Sequence, residues 1–214
     1  MKPLNFVFSF ATSILLFAAP CLFVSAETIL DTTASISASD PTQTGRLISN
    51  GIAQDWSGGE SFPGIVNTST IYHYMTITID SSVIAYGPYI QILIDDEDVN
   101  IFGSAYAGSY LPNSSGVGNR GFNTNWLGDA GFSGNLVPGA PLFFQVLAPT
   151  GSDLVLVFNN TGAGNVGVGE TFGVLVESFS DDSYTDPIPE ASSLWFAGAG
   201  LLGVYVLRRR TASM

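Results

Sequence analysis

Residues 69–80 read STIYHYMTITID, and the alternation in this stretch decides the fold class. Ile71, His73, Met75, Ile77 and Ile79 fall on one face of an extended chain. Tyr72, Tyr74, Thr76, Thr78 and Asp80 fall on the other. A period of two built from β-branched and aromatic residues predicts a strand with one face on a core. The runs YIQILID (89–95), NIFGSAYAGSY (100–110), LFFQVLAP (142–149), DLVLVFNN (153–160) and TFGVLVESF (171–179) predict five more. GRLISNG (45–51) makes seven, and ASIS (34–37) before it an eighth. No long helical period interrupts them between residues 27 and 186, and the chain's 24 glycines and 11 prolines supply turns. The expected fold is all-β: an antiparallel β-sandwich, jelly-roll-like, flanked by an N-terminal signal helix and a C-terminal hydrophobic helix.

Composition narrows the function classes. Charged residues make up only 11% of the 214, and the formal net charge is -12. Of the six basic residues, Lys2, Arg208, Arg209 and Arg210 lie near the ends, which leaves Arg46 and Arg120 in the body. An acidic body with so few cations repels nucleic acid and anionic lipid, so no nucleic-acid partner is expected. The single cysteine, Cys21, lies in the N-terminal apolar run, which rules out a disulfide framework or a cysteine zinc site in the body. A body of this length can bury a core without such staples.

The two ends read as processing signals. Residues 1–26 carry a basic start, an apolar run and Val24-Ser25-Ala26, the form of a secretory signal peptide cut between Ala26 and Glu27. The sandwich domain is expected over 27–186. At the other end, Leu194–Leu207 is apolar and uncharged. With its serine flank this run reaches only about 24 Å as a helix, short of the roughly 30 Å hydrocarbon core. Arg208-Arg209-Arg210 would hold its end on the cytoplasmic side.

The order Pro189-Glu190, small residues Ala191-Ser192-Ser193, apolar helix and arginine cluster resembles the PEP-CTERM sorting signal of exopolysaccharide-producing Gram-negative bacteria. One position departs from it: Ala191 stands where that signature has proline. The resemblance implies a sorting signal over 187–214 with Pro189, Glu190, Ala191, Arg208, Arg209 and Arg210 as its elements. It implies an exosortase-type processing enzyme as partner, transient inner-membrane association through residues 194–207, and delivery to the outer surface or extracellular matrix. The body fragments GRLISNG, SFPG, TIYHYMTIT, NIFGSAYAGSYLP, NWLGDAG and FGVLVE occur in an order similar to an extracellular bacterial β-sandwich repeat. That resemblance implies a binding or spacer module without an active site.

Little in the body points to catalysis. His73 is the only histidine and lies mid-strand, and GFSG (131–134) lacks the spacing of a nucleophile elbow. Asp96, Asp98 and Asn100 have the D-x-D-x-N spacing that offers oxygens to Ca²⁺. Ile101 takes the place of the glycine an EF-hand needs and Ala107 that of its glutamate, so a charged surface hairpin competes with a calcium site of another geometry. Trp56 and Trp126 are candidates for stacking on sugar rings, weighed against a place in the core. Asn67, Asn113 and Asn159 head N-x-S/T triplets in turn-like sequence, which implies exposure. The leading expectation is an exported, non-catalytic surface or matrix protein, structural or adhesive, with exopolysaccharide as a partner. The alternatives are a carbohydrate-binding module and a glycoside-active enzyme.

Overall fold

The structure is a computed structural model, and it describes residues 26–49, 55–59, 61–95, 100–113, 121–133 and 142–182. The strands are β1 (Ala26–Ser35), β2 (Thr42–Leu47), β3 (Ile65–Ile79), β4 (Tyr89–Asp95), β5 (Ile101–Ala107), β6 (Trp126–Asp129), β7 (Leu142–Leu147), β8 (Leu154–Asn160) and β9 (Thr171–Phe179). No α-helix occurs among the described residues; a 3-10 turn, Ser81–Val83, is the only helical element there. The expected signal helix and C-terminal helix lie outside the described residues.

The strands form two antiparallel sheets. One has the order β1-β9-β4-β7, the other β2-β3-β8-β5-β6. Only β2–β3 and β5–β6 are sequence neighbours that also pair; every other step crosses between sheets. The two inner faces meet in a β-sandwich core. Ile90, Ile92 and Ile94 of β4, Leu142, Phe144 and Val146 of β7, and Phe172, Val174 and Val176 of β9 come from the four-stranded sheet. They pack on Ile101 and Ala105 of β5 and Leu154, Leu156 and Phe158 of β8. Phe158 and Phe172 meet across the layers with ring centroids 5.1 Å apart.

The stretch 69–80 behaves as expected over its second half. Met75, Ile77 and Ile79 join the core, while Thr76 and Thr78 are exposed. Its first half departs: Ile71 is exposed and Tyr72 is buried. From Tyr74 onward β3 pairs with β8; before that it pairs only with β2, across a register shift between Thr44 and Arg46. The outer face of this sheet is also covered. Tyr110 meets Tyr74 edge-on at 5.1 Å and Tyr106 at 4.6 Å, and Phe102 and Phe122 bury beside Leu47. An alternating pattern therefore marks the strand but does not assign its solvent side.

Two further expectations shift. The first strand lies over Ala26–Ser35, ahead of the expected ASIS, and as an edge strand it is largely exposed and so carries no continuous apolar run. WLGD forms a ninth, short strand, with Gly128 facing the core. A Cβ on Gly128 would stand 2.5 Å from Trp56 Cδ1 and 2.7 Å from Val146 Cγ1, so only glycine allows the layers this approach. Gly128→Ala is expected to cost about 1–3 kcal/mol and lower the thermal midpoint by roughly 2–12 °C. Circular dichroism melting checks this, and an unchanged midpoint would show that the layers can part there.

Candidate functional site

The sequence candidates Trp56 and Trp126 come together inside the protein. The backbone N–H of Trp56 donates to the Gln145 carbonyl at 2.9 Å, which fixes the segment along the free edge of β7. Its indole is 5% exposed and donates from Nε1 to the Asp129 carbonyl at 2.7 Å. Trp126 meets it edge-on at 4.8 Å and Phe62 at 5.5 Å. Both indoles contribute to the hydrophobic interior, Trp126 being half-buried.

Beside them lies a buried carboxyl. Asp129 closes β6 opposite Ser104, and Trp126 pairs with Tyr106. Asp129 Oδ1 accepts the Gly131 N–H at 2.9 Å, while Oδ2 has no hydrogen-bond partner among the described residues. The Tyr106 hydroxyl and Trp126 Nε1 are likewise buried without one. Burial pushes the Asp129 carboxyl up to about 7, against the opposing pull of the Gly131 N–H and the nearby Trp126 indole. That indole acts on the carboxyl without reaching hydrogen-bond geometry. Burial also raises the Tyr106 phenol far above its ordinary range. A fully buried acid of this kind can hold a proton.

A second polar group lies on the outer face of the four-stranded sheet. Gln91 of β4 and Gln145 of β7 are register partners, and Gln91 Nε2 donates to Gln145 Oε1 at 3.0 Å. Gln145 Nε2 in turn donates to Asp55 Oδ1 at 3.1 Å and Asp182 Oδ1 at 2.9 Å. Ser57 Oγ donates to the same two carboxylates, at 2.6 Å and 3.2 Å. This network ties the chain just past β9 to the β7 edge. The sequence signal for it was a lone glutamine in each of two apolar runs, YIQILID and LFFQVL.

The remaining candidates separate. Ala26 and Glu27 sit at the start of β1, opposite Phe179 and Ser178. Asn100 donates its backbone N–H to Glu170 Oε2 at 2.9 Å and accepts the Thr161 N–H at 2.8 Å. Asp96, Asp98, Pro189, Glu190, Ala191, Arg208, Arg209 and Arg210 lie outside the described residues. Among the described residues no three His, Cys, Asp or Glu side chains form a metal-holding group. Asn113 turns its amide to β2, donating to the Thr42 carbonyl at 2.9 Å and accepting the Thr44 N–H at 3.4 Å. Asn159, expected in a turn, is buried within β8 and therefore closed to glycosylation. His73 lies half-buried, with Nδ1 3.2 Å from the Asp40 carbonyl.

Comparison with known proteins gives the tail a firm assignment. The model of the PEP-CTERM protein-sorting motif matches residues 187–210, so the chain carries that motif directly after the sandwich. Among solved structures, the K3 cleaved adhesin domain of Lys-gingipain from Porphyromonas gingivalis W83 is similar at 18% identity and a TM-score of 0.31. The match covers 72% of this chain and 99% of that one. No curated protein matches the chain. Among the described residues no helix is long and apolar enough to cross a membrane.

The Asp129 carboxyl gives a pH dependence with a definite sign. Its folded pKa, about 7, lies above its ordinary 3.8, so the fold favours the protonated form. The stability linked to it is complete below the lower value and is lost as pH rises through the upper one, at up to about 1.4 kcal/mol per pH unit. Asp129→Asn is expected to flatten the fall in melting temperature between pH 5 and pH 8. Parallel wild-type and variant curves over that range would refute the assignment.

Proposed function

We propose that this chain is an exported, non-catalytic protein of a Gram-negative cell surface or exopolysaccharide matrix, structural or adhesive in role. The observation that carries the reading is the sorting motif at residues 187–210, set immediately after a β-sandwich that ends its described course at Asp182. A PEP-CTERM motif means an exported protein sorted by a C-terminal signal. Its reader is an exosortase-type enzyme acting near Pro189-Glu190, with residues 194–207 held briefly in the inner membrane. The domain plan is then a signal peptide over 1–26, a sandwich over 27–186 and the sorting signal over 187–214.

The body supports this plan without adding a reaction. Its sheet orders, β1-β9-β4-β7 and β3-β8-β5-β6 with β2 added at one edge, support a jelly-roll reading of the sandwich. Cutting between Ala26 and Glu27 would remove one residue of β1 and leave the pairing of Glu27 with Ser178 intact. The mature N-terminus would thus coincide with the start of the fold. The two candidate stacking indoles, Trp56 and Trp126, pack in the interior, and the buried Asp129 faces neighbouring side chains. An adhesive role would therefore work through the outer surface, where exopolysaccharide is the proposed contact.

Intact-mass spectrometry of the protein secreted by its native host tests the reading. The expected species begins at Glu27 and ends near Glu190. Recovery of intact Arg208–Met214 in the outer-membrane or extracellular fraction would overturn it.

A further inference from the structure

Both limits of the sandwich lie at one end of the molecule. Ala26 opens β1 opposite Phe179 at the close of β9, and Asp182 is tied back to Gln145 and Ser57. Large apolar side chains gather around this exit. Tyr89 pairs with both Phe179 and Leu147, and Leu147 is 42% exposed. The Ala148 N–H donates to the Pro88 carbonyl at 2.7 Å, which lays the loop before β4 against the end of β7. Gly87 packs on the backbone of Phe179 and Ser180 so closely that any Cβ would collide, and the adjacent Tyr86 is 41% exposed. Val83, 50% exposed, ends the 3-10 turn of the same loop, which Asp153 holds by accepting the Ser81 N–H at 3.1 Å. Single exposed apolar residues are ordinary, but Val83 and Tyr86 share the loop before β4, which lies against the end of β7 where Leu147 is exposed.

Chain length adds the decisive constraint. The sorting motif begins at residue 187, so residues 183–186 alone separate it from Asp182. At no more than about 3.6 Å per residue, the motif starts within about 18 Å of Asp182, and Glu190 lies within about 30 Å. An enzyme acting near Pro189-Glu190 on the folded protein therefore works within about 30 Å of this end of the sandwich.

We propose that the end bearing Val83, Tyr86 and Leu147 is a docking face for the protein that processes the 187–210 signal. The inference rests on the sorting reading above and adds a second recognition element outside the motif itself. Charge defines the partner's chemistry: Glu27, Asp80, Asp181 and Asp182 lie in the segments around these residues. The complementary surface is an apolar pocket with a basic rim. A lipid surface fits less well. Arg46 is the only Lys or Arg among the described residues, and its guanidinium is engaged on β2 with the Leu47 carbonyl and Ser49 Oγ. Among the described residues nothing basic at this end would draw anionic head groups.

The test is a pulse-chase of tail removal from the full chain in its native host. It compares wild type, the triple variant Val83→Ser/Tyr86→Ser/Leu147→Ser, and Ile71→Ser as a control away from this end. The triple variant is expected to lose its tail at least fivefold more slowly, with Ile71→Ser at the wild-type rate and all three proteins melting alike. If the triple variant melts lower, Leu147→Ser alone is compared at a temperature where it is fully folded, and a slowed removal is again expected. Wild-type rates in the folded variants would overturn the docking face. So would slowing that disappears when membranes are replaced by detergent micelles containing the enzyme, since lipid would then be the occupant. A wild-type chain that keeps its tail would instead overturn the sorting reading, and this inference with it.

Discussion

The fold depends on a strand that has no solvent side. Every residue of β8, Leu154 to Asn160, is buried. Leu154, Leu156 and Phe158 face the opposing sheet, while Val155 and Val157 face the aromatic layer of Tyr74, Tyr106 and Tyr110. Burial of both faces requires a cover on the outside of the five-stranded sheet, and the segment after β5 supplies it. That segment is pinned by polar contacts: Tyr110 donates its hydroxyl to Gln43 Oε1 at 2.6 Å, and Asn113 pairs with the edge of β2. The same cover thus blunts an edge strand whose open backbone groups would otherwise invite pairing with another chain. At the far end of β8, Asn160 Nδ2 lies within 3.0 Å of the Gly162, Gly164 and Val166 carbonyls, gathering the turn toward β9.

This arrangement explains what the sequence disclosed and what it withheld. DLVLVFNN was legible as a strand because burial on two faces produces a continuous apolar run. STIYHYMTITID was legible through its alternation, yet its tyrosine face proved to be covered as well. No local pattern reveals a cover contributed by residues far along the chain. β1 escaped because an exposed edge strand such as AETILDTTAS needs few apolar positions. β6 escaped because four residues are too few to show a period. Among site residues, the sorting motif was readable because its information lies in linear order. Trp56, Trp126 and Asp129 took their meaning from cross-sheet proximity. No local pattern marks the carboxyl in WLGD as one that the fold encloses.

The absence of disulfides in such a body shifts the burden of stability to packing. Cys21 is the only thiol and precedes the sandwich, so the two-layer core and the aromatic cover must hold the fold without cross-links. Buried polar groups are bound into the strands: Gln91 to Gln145 on the outer face of the four-stranded sheet, and Trp56 Nε1 to the Asp129 carbonyl inside. The Asp129 carboxyl runs against that economy, since its free oxygen and the Tyr106 hydroxyl share one enclosed region of β5 and β6. A protonated acid there costs far less than a buried carboxylate.

The order of strand pairing bears on export. β1 is the first strand and β9 the last, and they pair along nearly their whole length. The four-stranded sheet therefore cannot be completed until the end of the body has crossed the membrane, and this non-local pairing carries the loop-closure cost that slows β folds. The motif begins at residue 187, a few residues after β9. Were the chain to halt within that motif, as the proposed membrane hold requires, β9 would already be outside and free to close onto β1. The network of Asp182 with Gln145 and Ser57 then secures the strand's exit. Placing the sorting signal so close behind the last strand makes completion of the sheet and exposure of the signal near-simultaneous events. A signal placed before β9 could not coincide with a finished fold.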